Sequence, residues 1–573
     1  MAIFNRKSGS SDGVSPHDQE MGKTEYSTGE MQVSNDGFVH HEDNTHLHRG
    51  LKSRHITMIA IGGAIGTGLI IGTGKALAQS GPGSILISYT LVGLLVYVVM
   101  CALGEMAAWL PNGAGFAGYA TRYVDPALGF ALGYTYWFKY IIITPNQLTA
   151  ASLVIQEWKK PEEVNPGVFI AVFMVVIISI NYFGIKFFGE LEFWLSSIKV
   201  VTIVGLILLS FILAVGGGPN GQATGFKYYK NPGGFKPYIM SGDAGKFLGF
   251  WSSLINAVFA YLGTELIGVT VGEAQNPRKT IPRAIKLTFY RILFFYVLSV
   301  FFLGMLVPYN SPELGFAASK KAGTKASASP FVVAIKLAGI KHLPGIINGA
   351  ILLFTFSAAN SDLYIASRTL YGLANQGHAP RFFAWTDKRG VPVPALGFSA
   401  MFCMLAFMNV SDDAKTVFGY FVNLVTIFGL LTWISLLVTH IYFVKARRAQ
   451  GITDAQMPYV APFGMIGSYI ALFFCCLIAI TKNFSAFTHD KEYGNFDVKN
   501  FITGYLGIPL YLIMIFGYKF WTKSKGIPPA EADFYTGKDE IDREEEAFLA
   551  HQAANAGNED GSWFYRTFVS WLF

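Results

Sequence analysis

Charge is scarce in this sequence. Charged residues make up 14% of its 573 residues, hydrophobic residues make up 52%, and the mean hydropathy is +0.39. A soluble protein of this length carries more charge on its surface. The composition therefore excludes the three or four soluble domains that length alone would suggest, and it predicts an all-α integral membrane protein.

Several catalytic and binding motifs are also missing. There is no GxxxxGK[ST] phosphate loop, no HExxH motif and no metal-ligand cluster, which excludes an ATP-driven pump and predicts neither an enzyme nor a cofactor. In a soluble protein the net charge of +7 would suggest nucleic acid; here the position of the charges matters more, and we predict no nucleic-acid partner. The four cysteines lie in apolar stretches and predict packing rather than disulfides: Cys101, Cys403, Cys475 and Cys476.

What the sequence does have is a series of apolar runs of about 20 residues, the length that crosses a bilayer core. We number them as spans 1 to 12: 56–79, 83–109, 127–156, 167–186, 190–215, 248–272, 285–307, 345–374, 395–410, 415–444, 463–483 and 501–522. They predict a twelve-helix domain over 56–522 between a disordered N-terminal tail (1–55) and a C-terminal tail (523–573). The polar N-terminal tail does not resemble a cleavable signal peptide.

The arginines predict the orientation in the membrane. Basic residues concentrate on the cytoplasmic side of membrane proteins. Every arginine falls on one side if both tails are cytoplasmic, whereas the opposite loops carry lysine but no arginine. The sequons at Asn409 and Asn483 fall on the outer side, which agrees with this orientation.

Spans 1 and 6 contain interruptions at corresponding places in two five-helix halves. Span 1 has six glycines between Ile61 and Gly74, and span 6 has Gly263 and Thr264 followed by Glu265. One interpretation is close packing of small residues. The other is a pair of helix breaks at mid-membrane depth, since paired interruptions mark the binding site of transporters built from inverted repeats.

Longer motifs carry a family resemblance over nearly all of 50–525. Gly66-Thr-Gly68 resembles the GSG signature of the amino acid–polyamine–organocation superfamily. Segments 261–268, 272–282, 357–371 and 377–381, with Thr432-Trp433 and Thr439-His440, are similar to the fungal amino-acid permeases of that superfamily. The resemblance implies a 5+5 inverted-repeat (LeuT-like) core with discontinuous helices 1 and 6 plus helices 11 and 12. It also implies proton-coupled symport of amino acids by alternating access across the plasma membrane, with amino acid, proton and lipid bilayer as partners.

The same resemblance implies a substrate site at the two breaks. Peptide N–H groups of Gly66, Thr67 and Gly68 would hold the carboxylate, and carbonyls near Ala64 and in span 6 would hold the ammonium. The span 6 residues are Phe259, Ala260 and Leu262, with Tyr261 and Phe259 as walls of the side-chain pocket. Helix ends suit this task because they present unpaired donors and acceptors without a side-chain charge.

Two ionisable residues within the spans are the candidates for proton coupling. Lys199 lies in span 5, and in proton-coupled relatives a lysine at this position stands where sodium sits in sodium-coupled ones, bridging spans 1 and 8. Glu265 follows the break in span 6, where it would carry a proton or steady the unwound segment. Burial disfavours the charged form of such groups. The alternatives are a lysine that reaches the interface and a carboxylate on a solvated wall.

Two departures from the family pattern narrow the expectations. Many relatives have an acidic residue in span 3 where this chain has Gln147. Its absence argues against strict lysine or arginine specificity and favours a broad neutral range that extends to basic substrates. The C-terminus ends in Trp571-Leu572-Phe573 without cysteine, which gives no support to lipidation.

Other functions stay open at this level. A transporter of another amine, such as a polyamine or 4-aminobutyrate, would share the architecture. A non-transporting amino-acid sensor would too, although such sensors carry a larger N-terminal domain. By resemblance, ubiquitin-ligase adaptors are expected partners of the tails, with Lys7 and Lys23 as acceptors.

Overall fold

The computed structural model describes residues 32–33, 39–40, 65–111, 115–159, 163–183, 185–266, 268, 277–314, 329–411, 414–488 and 495–555. Ala64, assigned above to the substrate site, lies outside these ranges, as does most of the predicted N-terminal tail. Within that tail two short strands, Gln32–Val33 and Val39–His40, pair antiparallel.

Helical segments occur in each of the twelve predicted spans. In order they are Gly68–Gly72 with Thr73–Ser80 (span 1), Pro82–Trp109, Pro126–Ile155, Pro166–Phe183, Ile185–Ala214, Gly242–Tyr261 (span 6), Pro277–Arg291 with Ile292–Val297 and Leu298–Leu306 (span 7), Leu343–Asn375, Val393–Met401 with Phe402–Phe407 and Met408–Ser411 (span 9), Ala414–Ala449, Gly464–Thr481, and Val498–Tyr505 with Gly507–Thr522 (span 12). Helices outside the spans are Gly115–Tyr123, Pro330–Leu337 and Lys538–Asn555.

Length and apolar composition alone would let eight of the described helices cross a membrane, or nine with the pair in span 12 that bends by 40°. Spans 1, 3 and 6 are the ones that this test leaves out. Span 3 carries Lys139, Asn146 and Gln147, all of which are buried against other helices. The described helices of span 1 are short, Gly68–Gly72 and Thr73–Ser80, whereas the helix of span 6 has 20 residues and is not apolar enough.

The surface of the bundle fits a lipid environment. Span 5 exposes Val201 at 73% and span 11 exposes Ile466 at 73%, although both lie in long apolar helices. Span 10 instead buries Trp433 and Leu436 completely. Large exposed apolar areas are unusual on soluble monomers, and here they mark the outer ring of a membrane domain.

The described part of the C-terminal tail packs on the helices rather than leaving them. Phe534 is fully buried, and its carbonyl accepts a hydrogen bond from Trp109 Nε1 at 3.0 Å. Arg278, at the start of span 7, forms ion pairs with Asp542 and Glu545 of the tail helix. The acidic stretch of the tail thus has basic partners in the transmembrane domain.

Candidate substrate site

Span 6 breaks where the Gly-Thr interruption predicted. Its helix ends at Tyr261, and Leu262 has extended backbone angles, φ −62° and ψ 136°. Gly263 follows with φ +100°, a conformation that favours glycine because it has no Cβ. Turns continue to Glu265. The carbonyl of Tyr261 accepts hydrogen bonds from Thr264, from its N–H at 3.3 Å and its Oγ1 at 3.0 Å.

Span 1 is described from the middle of its own interruption. Ile65 and Gly66 are non-helical, and a helix begins at Thr67 and runs through the π-helical turn Gly68–Gly72. The Gly66 carbonyl accepts from the Ile70 N–H at 3.4 Å. The first N–H groups of a helix have no partner within it, so the start of this helix leaves backbone donors at residues 66–68.

The two breaks touch each other through Gly68. A Cβ at this position would lie 2.5 Å from Ala260 Cα and 2.8 Å from Ala260 N. Gly68 therefore allows a backbone-to-backbone contact that any side chain would prevent. At Gly66, in contrast, a Cβ would meet nothing within 4 Å.

A cavity of about 30 Å³ lies at this contact. It is lined by Gly66, Thr67, Gly68, Tyr140, Ile143, Gln147, Lys199, Phe259, Ala260, Leu262, Gly263, Leu266, Ala358, Ser361 and Asp362. A water molecule needs roughly 10–15 Å³ by this measure, so the cavity has room for about two. An amino acid fits only if the walls move apart, as alternating access requires.

Three polar side chains connect the wall from span 1 to span 8. Thr67 Oγ1 donates to Gln147 Oε1 at 2.8 Å, and Gln147 Nε2 donates to Asp362 Oδ2 at 3.3 Å. Gln147 thus orients its amide by accepting from one span and donating to another. Gln147, which stands where many relatives have an acidic residue, therefore lies in the cavity wall itself.

Lys199 lies in the cavity wall, but its ion pair is within its own helix. It is 1% exposed, and its Nζ is 3.7 Å from Glu192 Oε1. Glu192 Oε1 also accepts from Ser357 Oγ of span 8 at 2.6 Å. In the described residues, Lys199 is thus connected to span 8 through Glu192, and the direct bridge from span 1 to span 8 stays a prediction.

Glu265 forms a second buried ion pair, with Lys139 of span 3. Its other oxygen accepts from the Gly263 N–H at 3.2 Å, and Trp433 Nε1 lies 3.5 Å away. The Lys139 ammonium also lies 4.7 Å from the centre of the Tyr140 ring. Glu265 therefore holds the unwound backbone of span 6 against span 3.

The predicted span 6 residues divide into two groups. Phe259, Ala260 and Leu262 line the cavity. Tyr261 does not, against the expectation that its ring forms a wall: its hydroxyl donates to the Tyr89 carbonyl at 2.9 Å, and its ring stacks on Tyr296 at 4.2 Å. Tyr261 is the last residue of the span 6 helix, and at that position the helix directs its side chain away from the cavity, towards spans 2 and 7.

Sequence reasoning did not assign Asp362 and Glu192 to the site, and it left Lys139 undecided. A signal was available for all three, because an ionisable side chain within a membrane span is a functional candidate by default. What the sequence could not give is the pairing. Glu192 pairs with Lys199 and Lys139 with Glu265, and the second pairing joins residues far apart in the chain.

The family model of amino acid permeases matches residues 55–526. The chain belongs to the amino acid permease family. The permease is 53% identical to the dicarboxylic amino acid permease of Saccharomyces cerevisiae over 93% of this chain and 88% of that protein. It is 39% identical to the general amino-acid permease of the same yeast over 87% and 81%. It is thus a membrane transporter of amino acids, not an enzyme.

Solved structures support the fold of the permease. The manganese transporter of Eremococcus coleocola aligns with a TM-score of 0.51 at 12% identity, covering 82% of this chain and 94% of that chain. At this identity the likeness concerns the fold alone. The expected all-helical LeuT-like transporter architecture is confirmed.

Proposed function

We propose that the permease imports amino acids together with protons across the fungal plasma membrane, with both termini in the cytoplasm. The observation that carries this proposal is the contact of Gly68 with Ala260 beside a small polar cavity. It brings N–H donors of span 1 close to the open end of the span 6 helix. A zwitterion needs donors for its carboxylate and acceptors for its ammonium, and two facing helix ends offer both.

Acidic amino acids belong to the proposed substrates, together with the neutral ones expected from the sequence. The 53% identical yeast relative carries a dicarboxylic amino acid in its name. Gln147 is uncharged, so span 3 offers no carboxylate to attract a cationic side chain.

Proton coupling needs a group in the cavity wall whose charge can change. Lys199 is our first candidate because it lines the cavity and pairs with a carboxylate. Glu265 has the stronger positioning role, since it binds the Gly263 N–H and Lys139 together. We expect Lys199→Gln to abolish accumulation against a gradient while the protein still reaches the cell surface.

The test is radiolabelled uptake in a permease-deficient yeast. All twenty amino acids are compared with and without a protonophore, for the wild-type protein and Lys199→Gln. Lys246→Gln is the matched control, since this lysine is surface-exposed and pairs only locally with Asp243. Uptake of no amino acid would refute the function, uptake that ignores the protonophore would refute the coupling, and normal accumulation by Lys199→Gln would remove Lys199 from the mechanism.

A further inference from the structure

The charges around the cavity do not balance. Among the described residues that line it or pair with those that do, two are ammonium groups, Lys139 and Lys199, and three are carboxylates, Glu192, Glu265 and Asp362. Glu265 pairs with Lys139 and Glu192 with Lys199. One carboxylate, Asp362, is left over in this count.

Few neutral hydrogen-bond donors contact the Asp362 carboxylate in the described part of the chain. Its side chain lines the cavity and is 8% exposed. Within the described part of the chain its one hydrogen bond comes from the Gln147 amide, at 3.3 Å. The groups that act on it electrostatically are Lys139 from span 3 and Lys199 and Glu192 from span 5, and each of these already has an ion-pair partner.

A buried carboxylate in this position lowers its free energy by binding a proton. An ionised group with neither a cation nor several donors is expensive to keep away from water, and such a group takes up a proton instead. The open face of Asp362 is the cavity itself, which is also where substrate would bind. Proton uptake and substrate binding would therefore occur at the same place.

We propose that Asp362 takes up the proton that accompanies a substrate with an anionic side chain, and that this protonation admits that substrate. The inference rests on the proposed function and deepens it. A proton from the outer solution binds a carboxylate oxygen, the surplus negative charge becomes zero, and an acidic amino acid enters without facing an unpaired carboxylate. After substrate release on the inner side, the carboxyl returns the proton to the cytoplasm.

A competing role for Asp362 is to hold the substrate ammonium directly. The two roles differ in what they do to different substrates. An ammonium acceptor matters equally for alanine and glutamate, since both carry the same α-amino group. A protonated carboxyl that removes surplus charge matters for glutamate and not for alanine.

The experiment measures KM for glutamate and for alanine between pH 5 and 8, where both the α-groups and the glutamate side chain keep their charge. In the wild type we expect the ratio of the glutamate KM to the alanine KM to rise with pH, by at most about tenfold per pH unit, the limit for one proton. In Asp362→Asn the ratio should vary less than about twofold. Asp362→Glu should restore the rise.

Asp243→Asn is the matched control, because it makes the same chemical change at a fully exposed carboxylate, and it should behave as the wild type. Gln147→Leu supplies an independent arm if Asp362→Asn does not reach the surface. Losing the amide donor disfavours the charged carboxylate, so the pH midpoint of the wild-type ratio should move to higher pH.

Three results would overturn the proposal: a ratio in Asp362→Asn that still rises as in the wild type, an equal increase of both KM values at every pH, or an unmoved midpoint in Gln147→Leu. A wild-type protein that transports alanine or any other amino acid but not glutamate would also overturn it. A wild-type protein that transports none of the twenty amino acids would instead refute the proposed function.

Discussion

The permease contains two clusters of buried charge that differ in how well their carboxylates are satisfied. In the cavity, Asp362 has one amide donor at 3.3 Å among the described residues. In the second cluster, Glu105 of span 2 accepts the Ala461 N–H at 2.9 Å and lies 3.1 Å from His440 Nε2 and 3.6 Å from Arg447 Nη2. Both carboxylates are buried, but Glu105 has more polar and basic groups close to it than Asp362 has.

The comparison separates structural charge from charge that can change. Glu105 has an N–H donor and a guanidinium beside it, and these contacts join spans 2 and 10 and the segment before span 11. Its partner Arg447 is held in turn by Asp454 at 2.7 Å. Asp362 has neither kind of support in comparable measure. Burial alone therefore does not distinguish the two carboxylates, whereas their partners do.

The largest expected effect tests the cavity side of the comparison. We predict that Gly68→Ala abolishes uptake of every substrate, because the new methyl group would meet Ala260 Cα at 2.5 Å and separate the two breaks. Gly72→Ala is the matched control in the same helix, where a Cβ would be 3.7 Å from the Phe259 ring and in ordinary contact.

Uptake is measured by initial rates, normalised to the amount of tagged protein at the cell surface. Gly72→Ala should keep at least half of the wild-type rate. Wild-type uptake by Gly68→Ala would mean that the contact between the breaks is not needed for transport. The cavity would then have no better claim to a role in transport than the Glu105 cluster.

The sequence predicted the breaks better than the side chains around them. Gly263 and Thr264 identified the end of span 6 because few residues tolerate the positive φ at Gly263. The same local pattern says nothing of how the half-helix is rotated, so the direction of Tyr261 was wrong. Likewise, the intramembrane ions were visible in the sequence, but their partners depend on which helices pack together.

The partners of Glu105, in the second cluster, were also not predictable from the sequence. From the sequence alone, the position of Glu105 near the end of span 2 predicts a structural role and a basic loop residue such as Arg122 as its partner. In the structure Arg122 instead interacts with Thr536 and Asp533 of the tail, and Glu105 binds His440 and Arg447 of span 10. The partners of Glu105 are set by the packing of span 2 on span 10, which the sequence alone does not show.

The next prediction concerns stability rather than transport. We expect Glu105→Gln to lower the free energy of unfolding by about 1–3 kcal/mol, since the change removes the carboxylate that His440 and Arg447 share and leaves Arg447 with Asp454 alone. The ratio of the glutamate KM to the alanine KM should keep its wild-type pH dependence. Thermal unfolding in detergent, followed by size-exclusion chromatography, measures the first quantity.

Leu77→Ile, a buried volume-conserving change in span 1, controls for a general response of the core and should cost less than about 1.5 kcal/mol. The comparison of the two clusters would fail if Glu105→Gln flattened the pH dependence of the KM ratio, because a structural carboxylate should not affect substrate selection by charge.

The smallest expected effect lies outside the spans, at the carboxylate that caps span 3. Asp125 accepts from the Ala127 N–H at 2.8 Å, from Lys519 Nζ at 2.7 Å and from Ser524 Oγ at 3.0 Å. Partial burial acts to raise the pKa of Asp125, but these three hydrogen bonds outweigh it and hold that pKa below its usual range. The ion pair therefore stabilises the fold above the ordinary carboxyl pKa of about 3.9, and its contribution is lost as the pH falls through the lower folded value.

Asp125→Asn keeps an oxygen for the helix cap but loses the charge, so we predict a loss of roughly 0.2–1 kcal/mol at pH 7. The difference from the wild type should shrink below pH 3.9. The difference is measured as melting temperatures in detergent at pH 7 and below pH 3.9. A difference that stays constant with pH would show that Asp125 stabilises the protein as a helix cap alone and that its charge makes no contribution.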